Sequence, residues 1–473
     1  MPLDLEDILG SRRAERLDLH RAFLNPQLVR VLQTLGFDRT YVRGEGAYLI
    51  DDTGERTLDF LSGFGVFALG RAHPGVKAAL HQALDLDLPN LVQLDAALLP
   101  GVLAEALVDR AHPGIERVFF TNSGAESVET AIKFARCATG RDRIVYCDHA
   151  FHGLTTGALA LNGGAEFRSG FGPLLPGCDR VPFGDAGALA RALAGRDVAA
   201  VVVEPIQGKG VYEAPVEYWH EVEALCRAHG TLFVADEVQT GMGRTGRFFC
   251  HDHFGVRPDM ITLSKALSGG YIPVGAVLTS ARIFDAVYSS MDRAVVHSST
   301  FARNQLAMVA GLATLAAFED ENIVERARVM GDRLVAALAP LVERHELLAE
   351  VRGRGLMIGL EFAAPSTHGR ARFRLMELAR KGMFSQLVVV PLYHRHRILT
   401  QVAADNVNIV KLLPPLIIGD EEIDRFVAAL DDVLTDAGRS SALLVEVGRT
   451  MARGSLAART HRRGARAPGD RVR

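Results

Sequence analysis

The sequence predicts an α/β fold: a large domain on a mostly parallel sheet covered by helices on both faces, with a smaller α+β domain beside it. Three observations predict it. From residue 115 onward, short continuous apolar runs alternate with amphipathic, helix-length segments. That is the pattern of strands buried on both faces and joined by crossover helices. The chain has 473 residues, more than one simple core accommodates, so about two or three structural units are expected. The composition, 48% hydrophobic and 23% charged, is that of an ordinary globular protein.

Taken in order, residues 1–69 are assigned to the small domain and residues 70–320 to the large one. Within the latter, "IERVFFT" reads as a strand feeding the helix "ESVETAIKFARCAT". The runs "RIVYCD", "VAAVVVEP", "GTLFVADE", "DMITLS" and "PVGAVLTS" read as further strands, and "PVEYWHEVEALCRAHG" as a helix between two of them. The segment 305–345 reads as long helices. Residues 321–437 complete the small domain: "AEVRGRGLMIGLEF" reads as paired strands, "NVNIVKLLPPLII" as another, and "DEEIDRFVAALDDVLTDA" as a final helix with a dipole-matched acidic first turn. Residues 438–473 are rich in arginine, and their composition is that of a solvated, disordered tail or a contact for an anionic partner.

Several classes of function are disfavoured. A formal net charge of −3 with no basic stripe argues against nucleic acid as the main partner. No apolar stretch approaches the roughly 20 residues that span a bilayer. The N-terminus "MPLDLEDILGSRRAERLDLH" lacks an apolar signal core, so a cytoplasmic location is expected. Five scattered cysteines without a C-x-x-C pair fit reduced thiols. The histidine pairs His149/His152, His251/His253 and His394/His396 lack further ligands at zinc-like spacing, so no metal is expected.

The groups at the predicted strand ends carry the chemistry. They are Asn122-Ser123-Gly124-Ala125-Glu126, Phe151-His152-Gly153, Glu204-Pro205, Asp236 through Gly241, and Lys265. In a parallel sheet they converge on one edge. Each has an ordinary reading alone: Ser123-x-x-Glu126 is a capping box, Phe151 a core aromatic, Asp236 and Glu204 strand-end acids, Lys265 a surface lysine. Together they supply a helix N-terminus for a phosphate, a flat aromatic, a buried acid and a reactive amine. These are the needs of pyridoxal phosphate: lysine forms a Schiff base with its aldehyde, and an acid holds its pyridine nitrogen protonated.

In this combination the chain resembles the class III, ornithine-aminotransferase-like enzymes of the fold type I pyridoxal phosphate transferases. The resemblance spans about residues 40–435 and rests on "FLSGFGVFALGRAHP", "TNSGAESVETAIK", "FHG", "EPIQG", "DEVQTGMGRTG", "LSKALSGG", "SSTF" and "VRGRGLMIG" in this order. It implies a homodimeric aminotransferase acting on small-molecule amines and carbonyls, with Lys265, Asp236 and Glu204 in the catalytic centre. Ser123, Gly124 and Ala125 would hold the phosphate, Phe151 would stack on the ring with His152 beside it, and Gln239 would contact the phenolic oxygen. Ser299 and Thr300 would reach the phosphate from the second subunit. Aminomutases and decarboxylases share this fold, and a non-catalytic binding protein is the reading from another class.

Four positions depart from the ornithine-type pattern: Leu154 and Lys411 stand for arginines, Phe64 for a tyrosine, and Lys209 for a glutamate. The family's glutamate–arginine pair cannot form between two lysines, and lysine lacks the planar fork that grips a carboxylate. The expected substrate is therefore a larger, partly apolar aldehyde or terminal amine, with Lys411 for a donor carboxylate and Lys209 as a second cation.

Overall fold

Seven strands form the central sheet, in the order Arg117–Thr121, Gly275–Thr279, Met260–Leu263, Leu232–Asp236, Val198–Val203, Arg143–Cys147, Cys178–Val181. The structure is a computed structural model that describes residues 3–364, 383–403 and 407–439. In this sheet β4 is Arg117–Thr121, β5 Arg143–Cys147, β6 Cys178–Val181, β7 Val198–Val203, β8 Leu232–Asp236, β9 Met260–Leu263 and β10 Gly275–Thr279. The strands β5 to β9 run parallel. β10 runs against both β9 and β4, because residues 264–274 between β9 and β10 are too few for the crossover that a parallel return needs. The edge strand β6 has no counterpart in the sequence reading. It pairs on one side only, and its middle residues Asp179 and Arg180 are exposed, so it carries no continuous apolar run.

Side chains leave alternate faces of a strand, and the core divides accordingly. Val145, Val201, Val203 and Phe233 pack with Trp219 and Cys226 of the helix Val216–His229. Ile144, Tyr146, Ala200, Val202 and Val234 pack with Val128, Ile132 and Phe134 of the helix Gly124–Thr139. All six residues of β7 are buried, as an interior strand covered on both faces requires.

Two smaller sheets complete the molecule. One joins β1 (Tyr41–Glu45), β2 (Tyr48–Asp51) and β3 (Arg56–Asp59) to β13 (Ile398–Leu399), which pairs parallel to β3 from far along the chain. The other is an antiparallel set of β11 (Leu348–Arg354), β12 (Met357–Phe362), β15 (Ile409–Leu412) and β14 (Gln401–Val402). The long-helix segment resolves into Gln305–Asp320 and Ile323–Arg344, and the last described helix is Asp420–Arg439. Residues 440–473, most of the arginine-rich segment, lie outside the described residues.

Candidate active site

The C-terminal ends of β5, β7, β8 and β9 meet at one edge of the large sheet, and the strand-end groups converge there. Asp236 closes β8 with 4% of its surface exposed. Its Oδ1 accepts from Thr262 Oγ1 at 2.8 Å and from the Val238 amide at 3.1 Å. Its Oδ2 accepts from His152 Nδ1 at 2.6 Å. Burial by itself would lower the basicity of His152, but the Asp236 carboxylate outweighs it and raises it overall. The other ring nitrogen, His152 Nε2, is buried without a partner among the described residues.

Glu204 is buried at the end of β7, and both its oxygens are taken by backbone. Oε2 accepts the Phe151 amide at 3.0 Å and Oε1 the Gly208 amide at 2.9 Å. Burial raises its affinity for a proton, and nearby Asp236 adds to that while His152 opposes it. The acid thus laces the Phe-His-Gly loop to the turn after Glu204-Pro205.

Lys265 follows β9 directly and opens a short 3₁₀ turn, Lys265–Ser268. Its φ of +40° lies in the left-handed region, a strained conformation for a residue with a side chain. The buried flanking residues Leu263, Ala266 and Leu267 hold it there, and Ser264 Oγ donates to the Val274 carbonyl at 2.8 Å. Burial lowers the proton affinity of the amine, against the opposing pull of Asp236 and Glu204.

Ser123 caps the helix Gly124–Thr139, accepting the Glu126 amide at 3.2 Å. Glu126 does not close the reciprocal half of the capping box on Ser123. It reaches one residue further back, accepting the Asn122 amide at 2.7 Å and Asn122 Nδ2 at 3.0 Å. Asn122 Nδ2 also donates to Ser299 Oγ of the same chain at 2.7 Å, while Thr300 is exposed. The Gly124 and Ala125 amides belong to the first turn, where N–H groups lack intrahelical acceptors. A Cβ on Gly124 would stand 2.7 Å from Val238 Cγ1, so only glycine lets the loop after β8 lie this close to the helix start.

Of the residues expected on the substrate side, hydrogen bonds join Lys411, Gln239 and the Phe64 backbone. Lys411 is 4% exposed, and its Nζ donates to the Gly208 carbonyl at 2.6 Å and to Gln239 Oε1 at 3.1 Å. Gln239 Nε2 in turn donates to the Phe64 carbonyl at 3.0 Å. Burial, then the nearby Lys265 charge, push Lys411 down to about 7. Lys209 is held by Glu166 at 2.5 Å. The side chains of Phe64 and Leu154 are half-exposed.

The histidine pairs disperse: His251 binds Glu237, His253 the Thr245 carbonyl, His394 the Leu35 carbonyl and His396 Asp432. Among the described residues no group of three or more potential ligands could hold a metal ion, and no helix is long and apolar enough to cross a membrane. Sequence reasoning missed Glu166, Thr262 and Asn162, whose Oδ1 accepts the His152 amide at 2.8 Å. Only Thr262 had a signal, as the polar residue in an apolar strand beside Asp236.

The sequence model of the family "Aminotransferase class-III" matches residues 33–434. This chain belongs to the class III aminotransferases. The family is pyridoxal phosphate-dependent, and the large sheet with its smaller companions is the fold type I architecture. The aminotransferase PigE of a Serratia species is 36% identical over 89% of this chain, but the chain spans only 53% of that relative's length. The acetylornithine aminotransferase of Bacillus cereus is 35% identical, over 83% of this chain and 94% of its own. A thermostable omega transaminase variant engineered for the synthesis of bulky amines superimposes with a TM-score of 0.77 at 27% identity, covering 89% of this chain and 96% of its own. The aminotransferase has a site that suits its cofactor: a glycine cradle at Gly124, a buried acid in Asp236, a His152 Nε2 without a partner among the described residues and an amine of lowered basicity in Lys265.

Proposed function

We propose that this aminotransferase moves an amino group between an amino-acid donor and a larger, partly apolar aldehyde or terminal amine, in ping-pong fashion, rather than acting on ornithine or acetylornithine. The observation that carries this reading is the character of the substrate side. Leu154 and Phe64 are apolar and half-exposed, and the buried cation there is a lysine whose proton affinity burial lowers. The relatives' names span acetylornithine, putrescine and bulky amines, so the choice rests on this wall.

When bound, pyridoxal phosphate supplies an aldehyde carbon that links to amines and a ring that takes up the electron pair left behind by a departing proton. The Gly124 and Ala125 amides, with Ser123, would hold its phosphate, Phe151 would cover one ring face, and Gln239 would meet its phenolic oxygen. Asp236, braced by Thr262 and His152, would keep the ring nitrogen protonated. Lys265 would carry the aldehyde at rest. As a neutral amine it would then take the proton from the amine-bearing carbon of the donor and redeliver it, a task its lowered basicity suits. Glu204, with both oxygens spent on backbone amides, acts as a positioning residue. Ser299 and Thr300 would reach the phosphate of a second copy. Lys411 would meet the donor carboxylate.

Steady-state kinetics test the substrate. Alkyl amines such as hexylamine, and the matching aldehydes, are expected to outperform ornithine and acetylornithine. If either of those two is the best amine by more than about tenfold in kcat/KM, about 1.4 kcal/mol of transition-state preference, the reading is wrong.

A further inference from the structure

Lys209 stands on the site wall as the expected second cation, yet its charge is already engaged. Its Nζ lies 2.5 Å from Glu166 Oε1, and the two side chains are 11% and 26% exposed. The same ammonium sits 4.1 Å from the ring centre of Phe167 and 5.5 Å from that of Phe151. The two rings meet edge to face, 5.4 Å apart. A carboxylate and two aromatic rings thus surround one cation, a stable arrangement when water is largely excluded. Gly164 makes the space for it: a Cβ there would fall 2.1 Å from Glu166 Oε2. Burial alone would raise the Glu166 carboxyl, but its hydrogen bond to Lys209 holds it below the ordinary range. The clamp also reaches the catalytic centre, since Lys209 adjoins Gly208, which binds Glu204 through its amide and Lys411 through its carbonyl.

We propose that Glu166 is a specificity-determining residue: by neutralising Lys209 and pinning it to Phe167 and Phe151, it denies that cation to substrate carboxylates and reserves this end of the pocket for neutral, apolar chains. This rests on the substrate reading above and supplies its mechanism, exclusion by removing an attractive charge. Release of Lys209 would convert the same wall into a carboxylate site. Nothing in the spacing of the sequence couples Glu166 to Lys209; the turn Ala165–Arg168 brings the acid to the wall.

Glu166→Gln keeps the shape and removes the charge. Calorimetric titration of the full chain with valerate measures the freed cation independently of turnover. The variant is expected to bind valerate at least about tenfold more tightly than the parent, and the gain to vanish in the double variant Glu166→Gln/Lys209→Met. Affinities within twofold of the parent, or a gain that survives loss of Lys209, overturn the proposal. The kcat/KM ratio for 5-aminopentanoate over pentylamine is expected to rise about tenfold in Glu166→Gln, and an unchanged ratio overturns it as well. A parent enzyme inactive on both amines refutes the substrate reading alone, because the valerate titration still decides the clamp.

Discussion

Asp236 and Lys411 are buried and Lys265 is partly so, and the surroundings of each give it a different expected task. Lys265→Ala is expected to leave a folded protein in which borohydride traps no cofactor adduct. Peptide mapping of the reduced parent checks the position, and an undiminished adduct on another lysine would sink the assignment. Asp236→Asn preserves the contacts to Thr262 and His152 in outline but removes the charge. Loss of such preorganised electrostatics is worth on the order of 10²–10³ in kcat. Lys411 sets a pH dependence whose sign follows from its surroundings. Burial lowers it from 10.5 to about 7, so the folded protein has released this proton above about pH 7 while the unfolded chain keeps it up to its ordinary range. Stability from this group therefore rises with pH through that window. Its function runs the other way, because the cation that meets a donor carboxylate fades above about pH 7. The kcat/KM ratio for glutamate over hexylamine is expected to fall with rising pH there, and Lys411→Met to flatten the profile.

Among the elements, one contact between a helix and a hairpin turn is especially close. A Cβ on Gly331, within the helix Ile323–Arg344, would stand 2.1 Å from the Gly355 carbonyl oxygen in the turn between β11 and β12. A Cβ on Gly355 would in turn stand 2.5 Å from the Thr245 carbonyl carbon. Leu356 donates its amide to the Arg244 carbonyl at 3.0 Å, and the buried Arg244 guanidinium returns to the carbonyls of Leu356 and Pro414. Helix, hairpin turn and the loop after Asp236 therefore lock backbone to backbone, where no side-chain rotation can relieve an added methyl. Gly331→Ala is expected to destabilise by about 2 kcal/mol or more through overpacking, read as a lower thermal midpoint. A variant as stable as the parent would show that helix and turn can separate cheaply.

At the scale of the whole molecule, the segment that carries Ser299 and Thr300 also presents apolar side chains to solvent. Met291 is 93% exposed and Val295 75%, while Leu94, in a separate loop, is 98% exposed. Large apolar exposure of this kind marks an interaction surface when it is contiguous. A homodimer with both sites near its interface is the expected state, and light scattering should return twice the chain mass. A monomer at micromolar concentration with full activity refutes it. Within one chain, Ser299 accepts a hydrogen bond from its own Asn122, a contact that reaching a second copy would have to replace.

The sequence by itself determined the interior strands of the large sheet and the helices beside them, and it named the strand-end groups, because each is a local statement. Apolar runs of the right length make β7, β8 and β9, and a reactive group placed at a strand's C-terminal end must reach the site edge whatever else the chain does. Helix caps such as Ser123 were legible for the same reason. The tertiary structure alone decided what distant residues do to one another. The reversed β10 and the edge strand β6 follow from sheet order, which periodicity does not encode. The partner of Asp236 is His152, which lies 84 residues away. The acid that spends the charge of Lys209 is Glu166, 43 residues away on a four-residue turn. A charge is visible in a sequence, but whether it is free depends on burial and on the nearest opposite charge, and both are properties of the folded chain.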